Sequence, residues 1–501
     1  MSSTADIEKL EKETEDNQST GAVKHGRQSN TSTRWRRIWE SLSDHGVELQ
    51  GVAPVPESSR TDTAFNKIFT VWFTSLLCPL SLSTGILGTL VFDMSLRDTS
   101  LLIVFFSLLM CIPPAYIQTI APQTGMRQMI QSRYSFGMFP NAVIVLLNLA
   151  SLSGYHIICL VIAGQTLAAV SDNTISIVVG IVVVALLSLA VSLPGFRFIH
   201  QWQRWAWIPA AIAIVVAVGC GGSELHKQKA APPPGVSTVF SFISLIAGYM
   251  LPYGAVVGDI AVYMPANSPK IRIFTYCWMG ICIPSILLLL VGAAVGGAVN
   301  NIASWSEAYE QNSVGGIMTA MLGPSGGFGK FLAVILALSV VQQISIGFYS
   351  VSFNFQIISQ QLVRIPRFVF IIIITAIDIA VAQKAAESFF ESLENFLAII
   401  AYWSAAYTGI IITEWLIFRH ANARNMSPEI WNSAKQLPYG IAALASLALP
   451  FALVVPSMST GWYVGPIAKT TGDLGFEFAL VLSVLLYIPL RHLEIRAQDK
   501  K

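Results

Sequence analysis

The sequence predicts an all-α polytopic membrane protein with about twelve transmembrane helices, and three observations carry that prediction. Of the 501 residues, 54% are hydrophobic and 12% charged. Soluble domains carry about 25% charged residues, and a soluble fold could not hide this much apolar surface. Apolar runs long enough to cross a bilayer recur about twelve times. The first and sixth runs are broken by Pro and polar residues. That spacing is expected when two five-helix repeats of inverted topology each begin with a discontinuous helix, here followed by two further helices.

Taken in order, the chain opens with MSSTADIEKLEKETEDNQST, which is polar and lacks the apolar stretch of a cleavable signal. Residues 1–60 read as a largely disordered cytoplasmic tail. Its Trp35-Arg36-Arg37-Ile38-Trp39 patch either lies against anionic headgroups or is simply solvated. Span cores follow at 67–92, 99–120, 139–170, 175–194, 205–222, 238–263, 272–299, 329–359, 367–383, 393–418, 437–456 and 474–490. Residues 61–420 thus hold a ten-helix core, 421–490 two additional helices, and 491–501 a cytoplasmic tail. The third and eighth runs are long enough to tilt or to extend past the bilayer. The polar stretch Asn300–Ser313 and the Gly-rich 323–329 read as outside loops. Arg127, Arg133, Arg197, Arg204, Arg364, Arg367, Arg419 and Arg424 all fall in one set of connections, which places that set and both termini in the cytoplasm.

Several function classes drop out. A net charge of +2 gives no reason to expect nucleic acid. The cysteines Cys78, Cys111, Cys159, Cys220, Cys277 and Cys282 all lie in apolar runs without disulfide or zinc spacing. Phosphate-loop, metal-cluster and nucleophile motifs are absent from the sequence, so neither a cofactor nor an enzymatic activity is expected. A channel would need a filter loop or rings of charge, and neither is evident.

The two broken spans hold the chemistry. The first reads WFTSLLCPLSLSTGILG, with Pro79 among Ser75, Ser81, Ser83 and Thr84. The sixth, Ala247 to Pro265, reads AGYMLPYGAVVGDIAVYMP. Pro252 removes a backbone donor there, and Gly248, Gly254 and Gly258 weaken the helix around it. Asp259 is expensive in hydrocarbon unless it faces a cavity, a partner or an ion; the alternative is a kinked packing helix with its acid at the interface. Asn148, Ser151 and Tyr155 share a face of span three and either bind a polar ligand or bond a neighbouring helix. His156 either relays protons or packs as a neutral ring. Span eight carries Gln342 and Gln343, whose amides offer a donor beside an acceptor, as a heterocycle requires. Asp378 is a second intramembrane carboxylate, while Glu394 and Glu414 lie near the ends of span ten. Glu414, before Trp415, Arg419 and His420, reads as an interface anchor or a functional acid.

Gly46 to Glu57, Arg60 to Thr63, Trp72-Phe73, Val91-Phe92, the loop Gly125 to Gly137, Leu193-Pro194-Gly195 and Asp259 to Pro265 together resemble fungal purine-cytosine permeases of the nucleobase:cation symporter-1 family. The resemblance implies a LeuT-like symporter in the plasma membrane, both termini cytoplasmic, that imports a small neutral heterocycle, a purine or cytosine, with a proton. It places the ligand among spans one, three, six and eight. By that resemblance one of Ser81, Ser83 and Thr84 contacts substrate, Asn148 is the span-three asparagine, and Tyr253 takes the place of a stacking Trp. The family's Asn-x-x-Pro-Asn pattern falls on Gln343, Ile346 and Gly347, and its Tyr-Ala-Ala-Asp on Val256 to Asp259, changes that alter base-edge bonding and enlarge the cavity. Asp259 either couples substrate to proton or braces the unwound backbone, with Asp378 the second candidate. The same family includes vitamin B6 carriers, so pyridoxine is an alternative substrate. A non-transporting nutrient sensor, remoter still, would bind ligand without flux.

Overall fold

The structure is a computed structural model and describes residues 51–194, 196–359 and 361–499. The Trp35–Trp39 patch, the stretch 46–50 and Gly195 lie outside the described residues. The described chain is helical apart from its connections and one two-residue hairpin, Ser459–Thr460 with Tyr463–Val464. In order, the main helices are α1 (Asn66–Leu76), α2 (Pro79–Ile86), α3 (Leu96–Met110), α4 (Asn141–Val170), α5 (Ile177–Ser192), α6 (Phe196–Gly221), α7 (Val236–Met250) and α8 (Gly258–Ala261). They continue with α9 (Lys270–Ala298), α10 (Ala303–Leu322), α11 (Gly326–Ile358), α12 (Arg367–Ala385), α13 (Phe389–Thr413), α14 (Ile441–Ala448), α15 (Phe451–Ser457) and α16 (Gly475–Asp499). Among the described residues eight helical stretches are long and apolar enough to cross a membrane, or nine when the bent pair α1–α2 counts as one span. The stretches Ala303–Ile358 and Arg367–Phe418 each join two long helices, α10 with α11 and α12 with α13.

Both breaks follow from local chemistry. Leu77 leaves helical geometry at φ −81°, ψ 61° and Cys78 is extended at φ −142°, ψ 163°. Pro79 then opens α2 at a position where its missing N–H costs nothing, and the two halves meet at 57°. In the sixth span α7 gives way to a 3₁₀ turn, Leu251–Ala255, and to Val256 at φ −134° before α8. The carbonyl of Gly248 would pair with the N–H of residue 252, which is Pro and has none. The Tyr155 hydroxyl donates to it instead at 2.9 Å. Backbone freed at membrane depth is thus satisfied from α4.

α4 and α11 pack along one another, α9 covers α1 and α2, and α13 lies between α7 and α16. α2 and α9 approach through glycine: a Cβ on Gly85 would stand 2.0 Å from the Leu289 carbonyl oxygen, and one on Gly292 2.0 Å from that of Leu82.

Three sequence expectations change here. The stretch 300–313, read as a loop, is helical from Ala303, its polar sequence having hidden the helix from an apolar-run count. α10 is interrupted at Asn312 and at Ser313, which sits at φ 49°. The last helix runs to Asp499 rather than ending at 490. Its extension carries Arg491, and that is why Glu414, expected at the water interface, is only 2% exposed. Glu414 accepts from Arg419 Nε at 2.8 Å, from the Tyr487 hydroxyl at 2.9 Å and from Arg491 Nε at 3.2 Å. Arg491 also donates to Glu494 at 2.9 Å, and Glu494 accepts from the Ile441 N–H at 3.0 Å, so one buried ionic cluster joins α13, α14 and α16. Glu414→Ala is expected to destabilise the purified protein by about 3–5 kcal/mol, because it strands a buried guanidinium. The double variant Glu414→Met with Arg491→Met should lose much less; equal drops in melting temperature would show that packing alone matters.

Candidate functional site

The break in the sixth span, the middle of α4 and the middle of α11 enclose a cavity. It is lined by Trp72, Asn148, Ser151, Tyr155, His156, Tyr253, Val256, Gln343, Gly347 and Ser350, among others, and leaves about 30 Å³ for the centres of water-sized molecules. That is space for a few waters, so a ring-sized ligand must displace side chains to enter. A larger groove beside α6, lined by Phe198, Trp202, Trp205 and Pro209, opens outward and is almost wholly apolar. It lacks the convergent polar groups that fix a ligand's orientation.

Aromatic faces form the floor. Tyr253 lies parallel to Tyr155, with centroids 5.9 Å apart and planes 19° apart, and meets Trp72 edge-on at 5.5 Å. Trp72 is steadied by its indole N–H on Gln118 Oε1 at 3.3 Å. Gln343 Nε2 donates to the Tyr253 hydroxyl at 3.3 Å, while Gln343 Oε1 is buried without a hydrogen-bond partner among the described residues. A flat ring stacked on Tyr253 would find an acceptor at its edge.

Asn148, Tyr253, Gln343 and Gly347 therefore meet in one cavity. Asn148 also donates to the Ala255 carbonyl at 3.4 Å, a group freed because the Asp259 N–H bonds Val256 instead. The span-three stripe thus bonds the neighbouring break and lines the cavity as well.

Of the span-one hydroxyls, Ser81, Ser83 and Thr84 are not among the residues that line this cavity. Ser83 donates to the Pro79 carbonyl at 2.9 Å and Thr84 to Leu80 at 3.0 Å, the usual back-bonding of helical hydroxyls one turn away. Ser81 donates to the Leu76 carbonyl at 2.7 Å and stands 2.6 Å from the Tyr249 hydroxyl, tying the first break to the sixth span. Span one contributes Trp72 instead.

Asp259 is absent from the cavity lining. Its Oδ1 accepts from the Gln128 N–H at 3.0 Å, and Gln128 Nε2 donates to the Tyr407 hydroxyl at 3.0 Å. The same loop holds Arg127, 1% exposed, which donates to the hydroxyls of Tyr349 at 3.1 Å and Tyr263 at 3.2 Å and covers the Phe353 ring at 3.5 Å. Arg133 donates to the Ile357 carbonyl at 2.8 Å, at the C-terminal end of α11 where a cation complements the helix dipole. Burial lowers this guanidinium's pKa to about 10. Asp259 therefore sits in the network holding this loop to α8, α11 and α13.

The glycines that replace the family's side chains do not enlarge the cavity. A Cβ on Gly347 would stand 2.0 Å from His156 Nε2, and one on Gly258 2.5 Å from Gln128 Oε1. The imidazole and the amide occupy the space those side chains would take. Behind His156 stands Asp378, fully buried, with Nδ1 and Oδ2 3.1 Å apart and the Ser153 hydroxyl donating to Oδ1 at 2.7 Å. Tyr155 and His156, for which the sequence left a ligand role and a packing role open, line the cavity, and so does Trp72, which the sequence did not single out as a site residue. Tyr155 and His156 were visible as polar positions of span three; Trp72 offered only its place just before the break.

Paired helix breaks around an enclosed aromatic and polar cavity define a membrane transporter of the LeuT-like fold. The chain belongs to the family of permeases for cytosine/purines, uracil, thiamine and allantoin, whose profile matches residues 54–477. It is 32% identical to the purine-cytosine permease FcyB of Emericella nidulans, covering 96% of each chain. It is 26% identical to the vitamin B6 transporter TPN1 of Saccharomyces cerevisiae, covering 92% of this chain and 90% of that one. Its fold is similar to that of Mhp1, a nucleobase-cation-symport-1 family transporter solved closed with bromovinylhydantoin bound, at a TM-score of 0.68 and 15% identity, covering 90% of this chain and 96% of that one.

Proposed function

We propose that this chain is a secondary active importer of a nucleobase, a purine or cytosine, moved with a proton by alternating access. The observation that carries the reading is the cavity: two parallel tyrosine rings beside an unsatisfied amide oxygen, at the point where the sixth span is unwound. Stacking holds any flat heterocycle, and the amide edge selects among them. Tyr253 stacks, Asn148 and Gln343 read ring edges, and Asp259 braces the loop beneath. Twelve spans in the plasma membrane with both termini cytoplasmic belong to the same reading, and the Arg and Lys bias of the connections supports the orientation. The likeness to a vitamin B6 transporter supports pyridoxine as a second reading.

The test is uptake of radiolabelled adenine, cytosine, uracil and pyridoxine in cells lacking their own carriers, with and without a protonophore. Accumulation of adenine or cytosine that collapses with the protonophore is expected. Pyridoxine uptake alone would favour the second reading, and uptake of none of the four would overturn both.

A further inference from the structure

We propose that the coupling proton is held by the buried pair His156–Asp378, and that His156 Nε2 reports its presence to the ligand as a hydrogen-bond donor. The ligand class rests on the nucleobase reading; the proton site does not.

His156 is 1% exposed and Asp378 0%. Among the described residues the partners of Asp378 are Ser153 on Oδ1 and His156 on Oδ2. An ionised carboxylate only accepts, so its bond to Nδ1 places a proton on that nitrogen and orients the ring. The other ring nitrogen is left to define the cavity wall. Nε2 is buried, has no hydrogen-bond partner among the described residues and borders the cavity at Gly347, where no side chain intervenes.

Charge decides what this pair does. A neutral imidazole beside an ionised carboxylate leaves one uncompensated negative charge inside the membrane, which is expensive. Among the described residues the helices packed against the pair carry no other cation away from their ends, and α10 carries Glu307, Tyr309 and Glu310. α5 has no ionisable side chain. α11 carries Lys330 at its start and Tyr349. α12 carries Arg367 and Lys384 at its ends, and α13 carries Glu391, Glu394, Tyr402 and Tyr407. On α4 itself the neighbours are Tyr155 and Cys159. A proton taken up on Nε2 makes the pair electrically neutral.

The same proton changes what the cavity offers. Gln343 and Gly347 are one helical turn apart on α11, so Gln343 Oε1 and His156 Nε2 face one side of the cavity. With the proton bound, Nε2–H is a donor beside the Oε1 acceptor, complementary to a ring edge that pairs a carbonyl or bare ring nitrogen with an N–H. Without it, two acceptors stand together beside a net negative charge. The ligand thus prefers the protonated pair, and by linkage the protonated pair prefers the ligand.

The experiment compares His156→Gln, Asp378→Asn and Asp259→Asn with wild type, purified and reconstituted in proteoliposomes with cytosine or adenine, whichever the carrier accepts. In wild type, affinity should weaken about tenfold when the proton is removed by raising pH, and uptake should follow an imposed proton gradient. His156→Gln and Asp378→Asn should lose gradient-driven accumulation, and whatever ligand exchange they retain should no longer vary with pH, whereas Asp259→Asn should remain proton-driven. Accumulation by His156→Gln with unchanged proton stoichiometry would overturn the proposal. If both variants of the pair fail to fold, Ser153→Ala, which removes only the bond to Oδ1, should shift the pH of half-maximal uptake; an unmoved profile would count against the pair. A ligand-free arm separates this proposal from the nucleobase reading: the melting-temperature gap between wild type and Ser153→Ala should vary with pH if the pair binds a proton. A gap constant across pH would sink the proton site even if nucleobases are carried, and a varying gap would keep it even if none is.

Discussion

A Gly347→Ala carrier is expected to lose uptake by on the order of a hundredfold, the usual consequence of displacing a binding group by about 1 Å. Alanine differs by one carbon, and that carbon would lie 2.0 Å from His156 Nε2. The imidazole has no easy retreat, because Phe348 meets its ring edge-on at 4.7 Å and Asp378 holds Nδ1 from behind. Making room therefore breaks the bond to a buried carboxylate, at a cost of about 3–5 kcal/mol, or pushes α11 away from α4. Melting temperature and initial uptake rate should fall together. Adding His156→Ala removes the clash but leaves Asp378 without its ring partner, so the melting temperature should stay below wild type and proton-driven accumulation should stay lost. Wild-type uptake by Gly347→Ala would mean that the ring is not wedged there.

Tyr253→Ala is expected to raise the KM for uptake about 5- to 150-fold. Stacking a base on an aromatic ring contributes about 1–3 kcal/mol, and each 1.4 kcal/mol is tenfold. Tyr253→Trp keeps a ring face parallel to Tyr155 and should stay within a few-fold of wild type. Tyr253→Phe removes only the hydroxyl that accepts from Gln343, a loss of about 0.5–1.5 kcal/mol, and should lie between the two. Equal losses in Ala, Trp and Phe would assign Tyr253 to packing rather than to ligand.

The membrane class, the two broken spans and the chemistry of Tyr253 and Gln343 were legible in the residues because each depends on local signals. A run of apolar side chains must leave water wherever it sits, a Pro at 79 or 252 withdraws its donor in any fold, and a ring or an amide keeps its chemistry. Helix α10 was missed for the complementary reason: its polar composition carries no membrane signal, and Ser313 at φ 49° cuts its period. The true end of α16 was missed because Arg491 reads as a charge entering water until Glu414 is placed beneath it.

Which group each side chain meets was decided only by tertiary packing. Ser81, Ser83 and Thr84 were polar candidates at a break, yet helical geometry puts a carbonyl one turn back within reach of Ser83 and Thr84, and Ser81 reaches back across the break to the Leu76 carbonyl. Asp259 stood out as an acid at membrane depth, but its partner is the Gln128 N–H, 131 residues away. Gly347 read as empty space until the ring of His156, from a helix nearly two hundred positions earlier in the chain, filled it. Burial, helix breaks and propensities are properties of a segment and survive in a linear sequence. Pairings such as His156 with Asp378 depend on which helix faces are brought together, and no local pattern records that.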